Sequence, residues 1–520
     1  MGAVLARTYA SYPNRPAIVG DGREISFTAL QRQVHRVANA LVALGLKRGD
    51  RVLIWLENTP EFLEVEHAVF LCGYVRTALS PRLHVDEIVD IVNDCLPNVV
   101  VTDAARAVRL VSRQRDMTCG PAVVVVGDGG VDGALDYAQL VASAGSDPPP
   151  VAHPTAEDLA ALLYTSGTTG QPKAAMITHR NWVAMVANLM AELPLIDDTD
   201  VLLHVAPMSH LSGSIGTAYC AKGAATAMLR RFDAAQVLNA VDELGITVLP
   251  LVPTMLASLT AKAESGSYDL SSLRAIPYGG SAVSPDLLRR AYCVFGEVLV
   301  QVYGLSEALI PLTVLPPSGH RSPNGEALPA HLSSAGRPTP FVDVRIISDD
   351  GSEGSAREQG EIQVRGDTVM SGYWNRPDDT AEIIGPNGWV HTGDIGYRDD
   401  DGYLYIVDRK RDVIVSGGFN IYPGEVERVI GSLPEVDEVV VVGAPHERWG
   451  ETVTAVIALK RGRELSPERV IDACGQHLAG YKKPTAVDFV DELPKNSSGK
   501  LLRRQVRARY WKGQDRQIGQ

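Results

Sequence analysis

The stretch that decides the fold is Tyr164-Thr165-Ser166-Gly167-Thr168-Thr169-Gly170-Gln171-Pro172-Lys173. An apolar run, Leu159–Leu163, precedes it and predicts a buried strand, while the segment from Thr178 to about Met190 predicts a helix. The two glycines let several N–H groups converge on an anion, and the hydroxyls and Lys173 add donors and a positive charge. The stretch therefore predicts a triphosphate-binding loop rather than a polar surface turn. It is not a Walker A loop, because G-x-x-x-x-G-K-[ST] does not fit these residues.

Length, charge and cysteine usage narrow the class of protein. A chain of 520 residues predicts two or more domains. The net charge of −13 argues against a nucleic-acid binder, for which a basic footprint is the first sign. The start shows no signal-peptide pattern and no run approaches about 18 apolar residues, so we expect a cytoplasmic protein without a transmembrane segment. The six scattered cysteines predict buried thiols in a reducing compartment rather than a zinc site.

Helix-like and strand-like segments alternate on the N-terminal side of the loop. Helices are predicted from Phe27 to Leu44 and from Glu61 to Cys72, and strands at Arg51–Leu56 and Val99–Thr102. This alternation favours parallel sheets covered by helices. From Phe341 to Val407, short strands with frequent Gly and Asp predict a β-rich sub-lobe.

Beyond the loop, Val201–Ala206 and Thr247–Val252 are further predicted strands. Two more apolar strands run into glycine turns at Ala275–Ser281 and Val298–Gly304. Ligands of open α/β sheets bind outside the carboxyl ends of strands, so these turns are predicted to share a cleft with the phosphate loop.

The charged segment of residues 408–412 is suited to a linker, and a shorter α/β pattern follows it to about Arg504. The predicted fold class is therefore α/β, with a large N-terminal lobe of helix-covered sheets that includes the β-rich sub-lobe, and a small C-terminal domain. The predicted domains are residues 1–408 and 413–520, joined by residues 409–412.

Five motifs in this order resemble those of the adenylate-forming superfamily, which comprises acyl- and aryl-CoA synthetases, luciferases and the adenylation domains of nonribosomal peptide synthetases. They are Tyr164–Lys173, Tyr303-Gly304-Leu305-Ser306-Glu307, Trp389–Asp394, Asp408-Arg409 with Gly417–Glu427, and Pro494–Lys500. The order and spacing fit over nearly the whole chain. The resemblance implies that a carboxylate attacks the α-phosphate of MgATP, giving an acyl adenylate, and that a thiol then displaces AMP.

The resemblance also implies a role for each matching residue. The residues matched to ATP or AMP binding are Thr165, Ser166, Gly167, Thr168, Thr169, Gly170, Lys173, Gly279, Gly280, Ser281, Tyr303, Gly304, Ser306, Asp394, Arg409 and Lys500. Those expected to act in catalysis are Lys500, Glu307, Thr165 and His210, with Glu307 engaging Mg²⁺. Arg411 matches the hinge about which the mobile C-terminal domain rotates between the two half-reactions, although a charged linker residue without that role is the alternative.

Four further residues resemble the CoA contacts of chlorobenzoate-type CoA ligases. They are Arg82, Trp449, Tyr481 and Lys483, of which the cations would pair with phosphates and Tyr481 would stack on adenine. Gly418 marks the strand edge that the family presents to CoA after the rotation, and it is the fifth expected CoA contact. Together they favour free CoA as the acceptor. An enzyme that delivers the acyl group to an amine or a carrier protein is the alternative, and a homodimer is an open expectation.

The acid pocket is predicted to comprise His210, Gly213, Tyr278, Gly304 and Leu309. His210 ends a Pro-Met-Ser-His motif that resembles the family's motif at the acyl and pantetheine tunnel, and the other four residues are small or apolar. No Asp stands in residues 205–213 to hold an α-amino group, so a hydrophobic or aromatic monocarboxylic acid is favoured over an amino acid. An aryl acid and a medium-chain or polycyclic acid are not separated by these residues.

One departure bears on the reaction. The family usually has glycine after the loop lysine, where this chain has Ala174-Ala175. If the loop needs that glycine, the enzyme would only convert a preformed adenylate to a thioester. Because Lys173, Glu307, Asp394 and Lys500 are all present, we expect the full two-step reaction. A non-catalytic nucleotide-binding or scaffolding protein is the third hypothesis.

Overall fold

The computed structural model describes all residues except 21, 166–171, 282, 322–329, 349, 417–418, 447–448, 479, 497–499 and 512–520. The chain divides into two compact units. The first comprises Met1–Val344 and Val364–Thr392, and the second Arg345–Gln363 and Gly393–Gln520. Within the described residues, no helix combines the length and the apolar character that crossing a bilayer requires. The boundary at residues 409–412 stays a prediction.

The predicted α/β class is confirmed. The helices are α1 Gly2–Ser11, α2 Phe27–Ala43, α3 Pro60–Cys72, α4 Val85–Cys95, α5 Ala104–Val111, α6 Tyr137–Ala142, α7 His179–Glu192, α8 Leu211–Ala221, α9 Ala234–Leu244, α10 Pro253–Glu264, α11 Pro285–Phe295, α12 Pro377–Ile383, α13 Pro423–Gly431, α14 Pro467–His477 and α15 Arg503–Tyr510. The strands are β1 Pro16–Gly20, β2 Arg23–Ser26, β3 Arg51–Trp55, β4 Val75–Ala78, β5 Val99–Asp103, β6 Ala122–Val126, β7 Leu135–Asp136, β8 Leu159–Thr165, β9 Lys173–Thr178, β10 Val201–His204, β11 Ala225–Met228, β12 Ile276–Gly279, β13 Leu299–Tyr303, β14 Thr313–Leu315, β15 Arg337–Pro338, β16 Val342–Ile347, β17 Gly360–Gly366, β18 Val390–Arg398, β19 Leu404–Arg409, β20 Ile414–Ser416, β21 Phe419–Ile421, β22 Val436–His446, β23 Gly450–Leu459 and β24 Ala486–Val490.

A seven-stranded sheet forms the centre of the first unit, in the order β7-β6-β5-β3-β4-β8-β9. Its strands are parallel except for the antiparallel pair of β8 and β9. Both faces are buried, since Leu53 packs in one apolar cluster and Ile54 in another. Burial on both faces explains why these strands read as continuous apolar runs.

Two smaller sheets complete the first unit, in the orders β10-β11-β1-β2 and β12-β13-β14-β15. Strands β12 and β13 are parallel neighbours, with Gly279 paired to Val302, so the turns that follow them lie at the same sheet edge. A further sheet, β16-β17-β18-β19, accounts for the predicted β-rich region.

The second unit contains the sheet β21-β20-β23-β22, with β24 paired to β23. Helices α13 and α14 contribute Val426, Ile430 and Val470 to its own apolar core. A second cluster includes Val506 of α15. The unit therefore has a hydrophobic interior of its own.

The prediction of a regular strand at Thr247–Val252 is wrong. Isolated bridges form on both sides of Pro250, two at Val248 and one at Leu251. Proline has no N–H to donate to a ladder, so the apolar run is buried in an extended form without becoming a regular strand.

His67 and His204 are among the buried histidines of the first unit. The Tyr9 hydroxyl lies 2.7 Å from His67 Nδ1, and Ser212 Oγ lies 2.6 Å from His204 Nδ1. Burial lowers the pKa of each histidine to about 3. Both are therefore neutral in the folded protein at physiological pH.

We expect the free energy of unfolding to fall as the pH drops from the ordinary histidine pKa of about 6.5 towards 3, because the unfolded chain gains protons that the folded chain excludes. Each histidine contributes roughly 2 kcal/mol of this loss at about pH 5. Urea unfolding at about pH 7.5 and about pH 5 measures it. The variant His67→Gln should reduce the difference between the two pH values, whereas the exposed-site control His153→Gln should not; an equal difference in both variants would contradict the account.

Candidate active site

The two described ends of the phosphate loop are held side by side by a hairpin. Thr165 ends β8 and Lys173 begins β9, the two residues pair in register, and Thr165 Oγ1 donates to the Lys173 carbonyl at 3.4 Å. The predicted residues Ser166, Gly167, Thr168, Thr169 and Gly170 lie outside the described part of the chain. The sequence predicted the strand before the loop but not β9 after it.

Ala174 occupies an ordered position in β9. It is buried, pairs with Tyr164 of β8, and its carbonyl accepts the Trp374 N–H at 2.9 Å. Among the described non-glycine residues, positive φ angles occur at Leu96, Arg357 and Asn375, so Ala174 does not need a glycine backbone. The departure from the family pattern therefore falls at a position that tolerates alanine.

Lys173 and Glu307 meet at one tyrosine. Lys173 Nζ lies 5.6 Å from the centre of the Tyr373 ring, and the Tyr373 hydroxyl donates to Glu307 Oε1 at 2.8 Å. Lys173 Nζ also pairs with Asp379 Oδ1 at 2.5 Å. Because the Lys173 side chain is only 13% exposed, these contacts fix where its charge lies. The two residues predicted to bind the phosphates and the metal thus lie in the same place.

A magnesium ion fits this arrangement when it arrives with a nucleotide. Among the described residues, no group of three or more His, Cys, Asp or Glu side chains could hold a metal by itself. Magnesium retains waters and substrate phosphates and needs only one or two protein carboxylates. The half-buried Glu307, whose Oε1 is oriented by Tyr373, is a carboxylate of that kind.

The turns predicted to line the nucleotide contain two positions, Gly279 and Gly304, that leave no room for a side chain. A Cβ on Gly279 would lie 2.3 Å from the Val302 carbonyl oxygen, and one on Gly304 would lie 2.9 Å from Ile310 Cα. Gly280 has a φ of +92° and is exposed together with Ser281. These turns follow β12 and β13, so they bring an open backbone surface to one sheet edge. Tyr303 and Ser306 at the second turn are half-buried.

His210 is exposed, and its Nδ1 lies 2.6 Å from Ser209 Oγ. Desolvation by the surrounding protein, and then the positive charge of Arg76, lower the pKa of His210 to about 4. His210 is therefore neutral at physiological pH.

The other predicted acid-pocket residues are mostly interior. Gly213 admits no side chain, since its Cβ would lie 1.9 Å from the Met208 carbonyl oxygen. Leu309 and Tyr278 are buried, and the Tyr278 hydroxyl lies 2.7 Å from His320 Nε2. With these side chains packed in the interior, the acid pocket stays a prediction.

In the second unit, the predicted ribose ligands are paired. Asp394 is buried, and Arg409 Nε lies 2.5 Å from its Oδ1, across the register pair that joins β18 to β19. Lys500 is exposed, its N–H donates to Asn496 Oδ1 at 2.8 Å, and its carbonyl accepts the Asn496 N–H at 2.8 Å. The backbone of Lys500 is therefore fixed to Asn496 on both sides of its Cα atom.

The predicted CoA contacts of the second unit are accessible. Trp449 is 42% exposed and stacks on His446 with ring centres 4.5 Å apart. Tyr481 is 47% exposed, and Lys483 is half-buried. Gly418 lies outside the described residues, and the placement of the Arg411 side chain is likewise not described.

Arg82 of the first unit lies in a basic cleft that the sequence did not reveal. The cleft measures about 380 Å³ and is also lined by Arg106, Arg230 and Arg231. Glu57 is the one carboxylate among its lining residues, and Arg231 pairs with it at 3.2 Å. In a chain of net charge −13, this cleft concentrates cations suited to a polyanion. The one feature of the sequence that indicates this basic cleft is the adjacent pair Arg230-Arg231, because Arg82 and Arg106 lie more than a hundred positions earlier in the chain.

Comparison with known proteins agrees with this geometry. Residues 5–374 match the model of the AMP-binding enzyme family, and residues 425–500 match that of the AMP-binding enzyme C-terminal domain. The chain is 36% identical to a feruloyl-CoA synthase of an Amycolatopsis species, over 98% of this chain and 99% of that protein. It is 35% identical to a fatty acid–[acyl-carrier-protein] ligase of Streptomyces coeruleorubidus, over 97% and 95%. The crystal structure of ATP-bound MatB from Rhodopseudomonas palustris superposes with a TM-score of 0.87, at 29% identity, over 98% of this chain and 99% of that chain.

Proposed function

Since this chain belongs to the AMP-binding enzyme family, we propose that it is an AMP-forming acid–CoA ligase that activates a hydrophobic or aromatic carboxylic acid with ATP and transfers the acyl group to CoA. The observation that carries the proposal is the convergence of Lys173 and Glu307 on Tyr373. A cation and an oriented carboxylate beside one loop suit a nucleotide triphosphate and its magnesium ion. Bound Mg²⁺ would supply neutralisation of phosphate charge.

In the first half-reaction, a carboxylate oxygen of the acid attacks the α-phosphorus of ATP and pyrophosphate leaves. Thr165, Lys173 and the loop between them hold the phosphates, while Asp394 and Arg409 hold the ribose. Lys500 offsets the charge that builds on the carboxylate and phosphate oxygens. Positioning and charge stabilisation supply most of the rate in such a step.

In the second half-reaction, the thiol sulfur of CoA attacks the acyl carbonyl carbon and AMP leaves. The basic cleft of Arg82, Arg106, Arg230 and Arg231 supports a polyphosphorylated acceptor, because guanidinium groups pair bidentately with phosphate. A pKa of about 4 makes His210 a weak proton acceptor, so we assign it to orienting the acyl and pantetheine groups.

A second candidate function is transfer of the acyl group to a carrier protein. The relative of Streptomyces coeruleorubidus is named a ligase of that type, and it is nearly as similar as the feruloyl-CoA synthase. The basic cleft favours CoA, since a nucleotide brings more phosphate than a bare phosphopantetheine arm. The relative that acts on an aromatic acid supports the proposed acid class.

The direct test supplies aromatic, fatty and polycyclic acids with ATP, Mg²⁺ and one of three acceptors: CoA, a phosphopantetheinylated carrier protein, or a simple amine. Mass spectrometry should detect a CoA thioester with at least one acid, together with AMP. Acylated carrier formed in the absence of any CoA thioester would support the second candidate and contradict the first. An amide formed in the absence of any CoA thioester would contradict both and indicate an amine acceptor.

Replacing both cleft arginines, Arg230→Gln and Arg231→Gln, should raise KM for CoA by about tenfold, the loss expected when a charge-assisted phosphate contact is removed. The KM for ATP should stay unchanged, and so should activity with pantetheine, which has no nucleotide. The matched control changes the adjacent pair Arg289 and Arg290 of α11 to glutamine. An equal loss of activity with CoA and pantetheine would contradict a phosphate role.

We also propose how the domains move, where the protein acts and how it assembles. Residues 1–408 and 413–520 would rotate about residues 409–412, with Arg411 at the hinge, and the protein would act in the cytoplasm as a homodimer. The apolar core that Ile414, Val426, Val441 and Val470 form within residues 413–520 supports an independently packed C-terminal domain. Light scattering after size exclusion tests the dimer: a monomeric mass would contradict it.

A further inference from the structure

The loop that carries Lys500 is anchored at its base. The Leu502 N–H donates to the Pro494 carbonyl at 2.8 Å, and Lys495 forms a bridge with Leu501. Helix α15 begins directly afterwards, with Arg503 as its first residue. Whatever fixes Arg503 therefore fixes the base of this loop.

Arg503 is held by carboxylates from three separate elements. Its Nη1 lies 3.1 Å from Asp408 Oδ1 and 3.1 Å from Asp412 Oδ2. Its Nη2 lies 2.7 Å from both carboxylate oxygens of Glu427 in α13. One cation thus ties the end of β19, the turn after it and α13 to the start of α15.

The carboxylates are themselves oriented by backbone donors. Asp408 Oδ2 accepts the Gly424 N–H at 2.6 Å, and Glu427 Oε1 accepts the Val441 N–H at 2.7 Å. Burial raises the pKa of both Asp408 and Glu427, and the positive charge of Arg503 opposes that rise. Arg503 is therefore the cation that opposes protonation of these two carboxylates.

Helix α15 does not by itself favour an arginine at this position. The N-terminus of a helix carries a partial positive charge, so a cation in the first turn is unfavourable, and the first turn of α15 contains no acidic residue. The carboxylates explain the placement of Arg503.

The cluster connects to the predicted nucleotide ligands. Asp408 precedes Arg409, whose Nε lies 2.5 Å from Asp394 Oδ1. We propose that Arg503 is a positioning residue for adenylation, which sets the location of the Lys500 loop relative to the Asp394–Arg409 pair. This inference rests on the proposed function, in which Lys500 acts on the acid and the α-phosphate.

The test separates the two half-reactions. Arg503→Met should lower acid-dependent exchange of pyrophosphate into ATP by about 10²-fold, the effect of a small misplacement of a catalytic group, with KM for ATP within about threefold of wild type. Formation of CoA thioester from a supplied acyl adenylate should change less than about threefold, since that step does not use Lys500. A purely structural defect would lower both steps together, and this outcome would overturn the inference.

Arg507→Met is the matched control. Arg507 lies on the same helix, pairs with Glu451 at 3.0 Å and is half-buried like Arg503. It should retain both half-reactions within about threefold, because its partner Glu451 contacts β20 through the Val415 N–H rather than the Asp408 cluster. A loss of exchange in Arg507→Met as large as that in Arg503→Met would also overturn the inference.

A milder variant keeps the inference testable if Arg503→Met does not fold. Glu427→Gln removes one charged partner and should lower exchange by about tenfold without changing thioester formation. Unchanged exchange in Glu427→Gln would overturn the inference. The two possible failures can be told apart. If CoA is not the acceptor, the wild-type enzyme makes no CoA thioester but still exchanges pyrophosphate, and the effect of Arg503 on adenylation can still be measured.

Discussion

Replacing Lys500 by alanine is expected to lower acid-dependent exchange of pyrophosphate into ATP by about 10²- to 10³-fold, the range found when one transition-state donor is removed. Negative charge converges on the carboxylate and α-phosphate oxygens as they approach, and a neutral methyl group cannot offset it. Lys500 is exposed, and alanine retains the hydrogen bonds between its backbone and Asn496. Because substitutions at exposed positions usually change stability little, the melting temperature should stay within about 2 °C of wild type.

Lys495→Ala provides the control for Lys500→Ala. Lys495 lies on the same loop and pairs with Glu438 at 2.7 Å, so its loss removes a lysine and a surface ion pair without touching the predicted chemistry. Exchange should persist in this variant. In Lys500→Ala, thioester formation from a supplied acyl adenylate should also persist. Exchange at the wild-type rate in Lys500→Ala would remove this lysine from the mechanism.

The second large effect is expected for Glu307→Gln. The amide keeps the shape and can still accept the Tyr373 hydroxyl, but it loses the negative charge that binds Mg²⁺. The rate of pyrophosphate exchange should fall by about 10²-fold, and the Mg²⁺ concentration that gives half the maximal rate should rise. The measurement is a magnesium titration of the exchange rate at saturating ATP.

Glu382→Gln is the control for this charge change. Glu382 is an exposed residue of α12, on the segment that also supplies Asp379. Its titration curve should overlay that of wild type. A Glu307→Gln enzyme with a lower rate but an unchanged magnesium requirement would indicate that Glu307 orients Tyr373 rather than engaging the metal.

Short runs of sequence were enough to predict the position of the phosphate loop and most of the predicted strands and helices. Leu159–Leu163, Ile276–Gly279 and Leu299–Tyr303 are strands because continuous apolar runs bounded by glycine suit buried parallel strands. At Pro250 the same reasoning was wrong, because an apolar run with proline in it cannot form a complete ladder. Local pattern therefore predicts burial better than it predicts hydrogen bonding.

The partners of the site residues were not predictable from one sequence. Lys173 pairs with Asp379 at 206 positions' separation, and neither Asp379 nor Tyr373 stands in a motif. Arg503 likewise stands outside the motifs, and it meets the motif carboxylates Asp408 and Glu427 only because β19, α13 and α15 pack together. Motifs mark residues that would touch substrate, whereas the residues that orient them are specified by tertiary packing.

The most direct test of the account is exchange of labelled pyrophosphate into ATP, measured with each acid that the enzyme converts to a CoA thioester. We predict exchange that requires both the acid and Mg²⁺, because Lys173 and Glu307 converge on Tyr373 and Ala174 keeps a regular place in β9. Thioester formation from supplied acyl adenylates, without exchange for any of the same acids, would contradict the account.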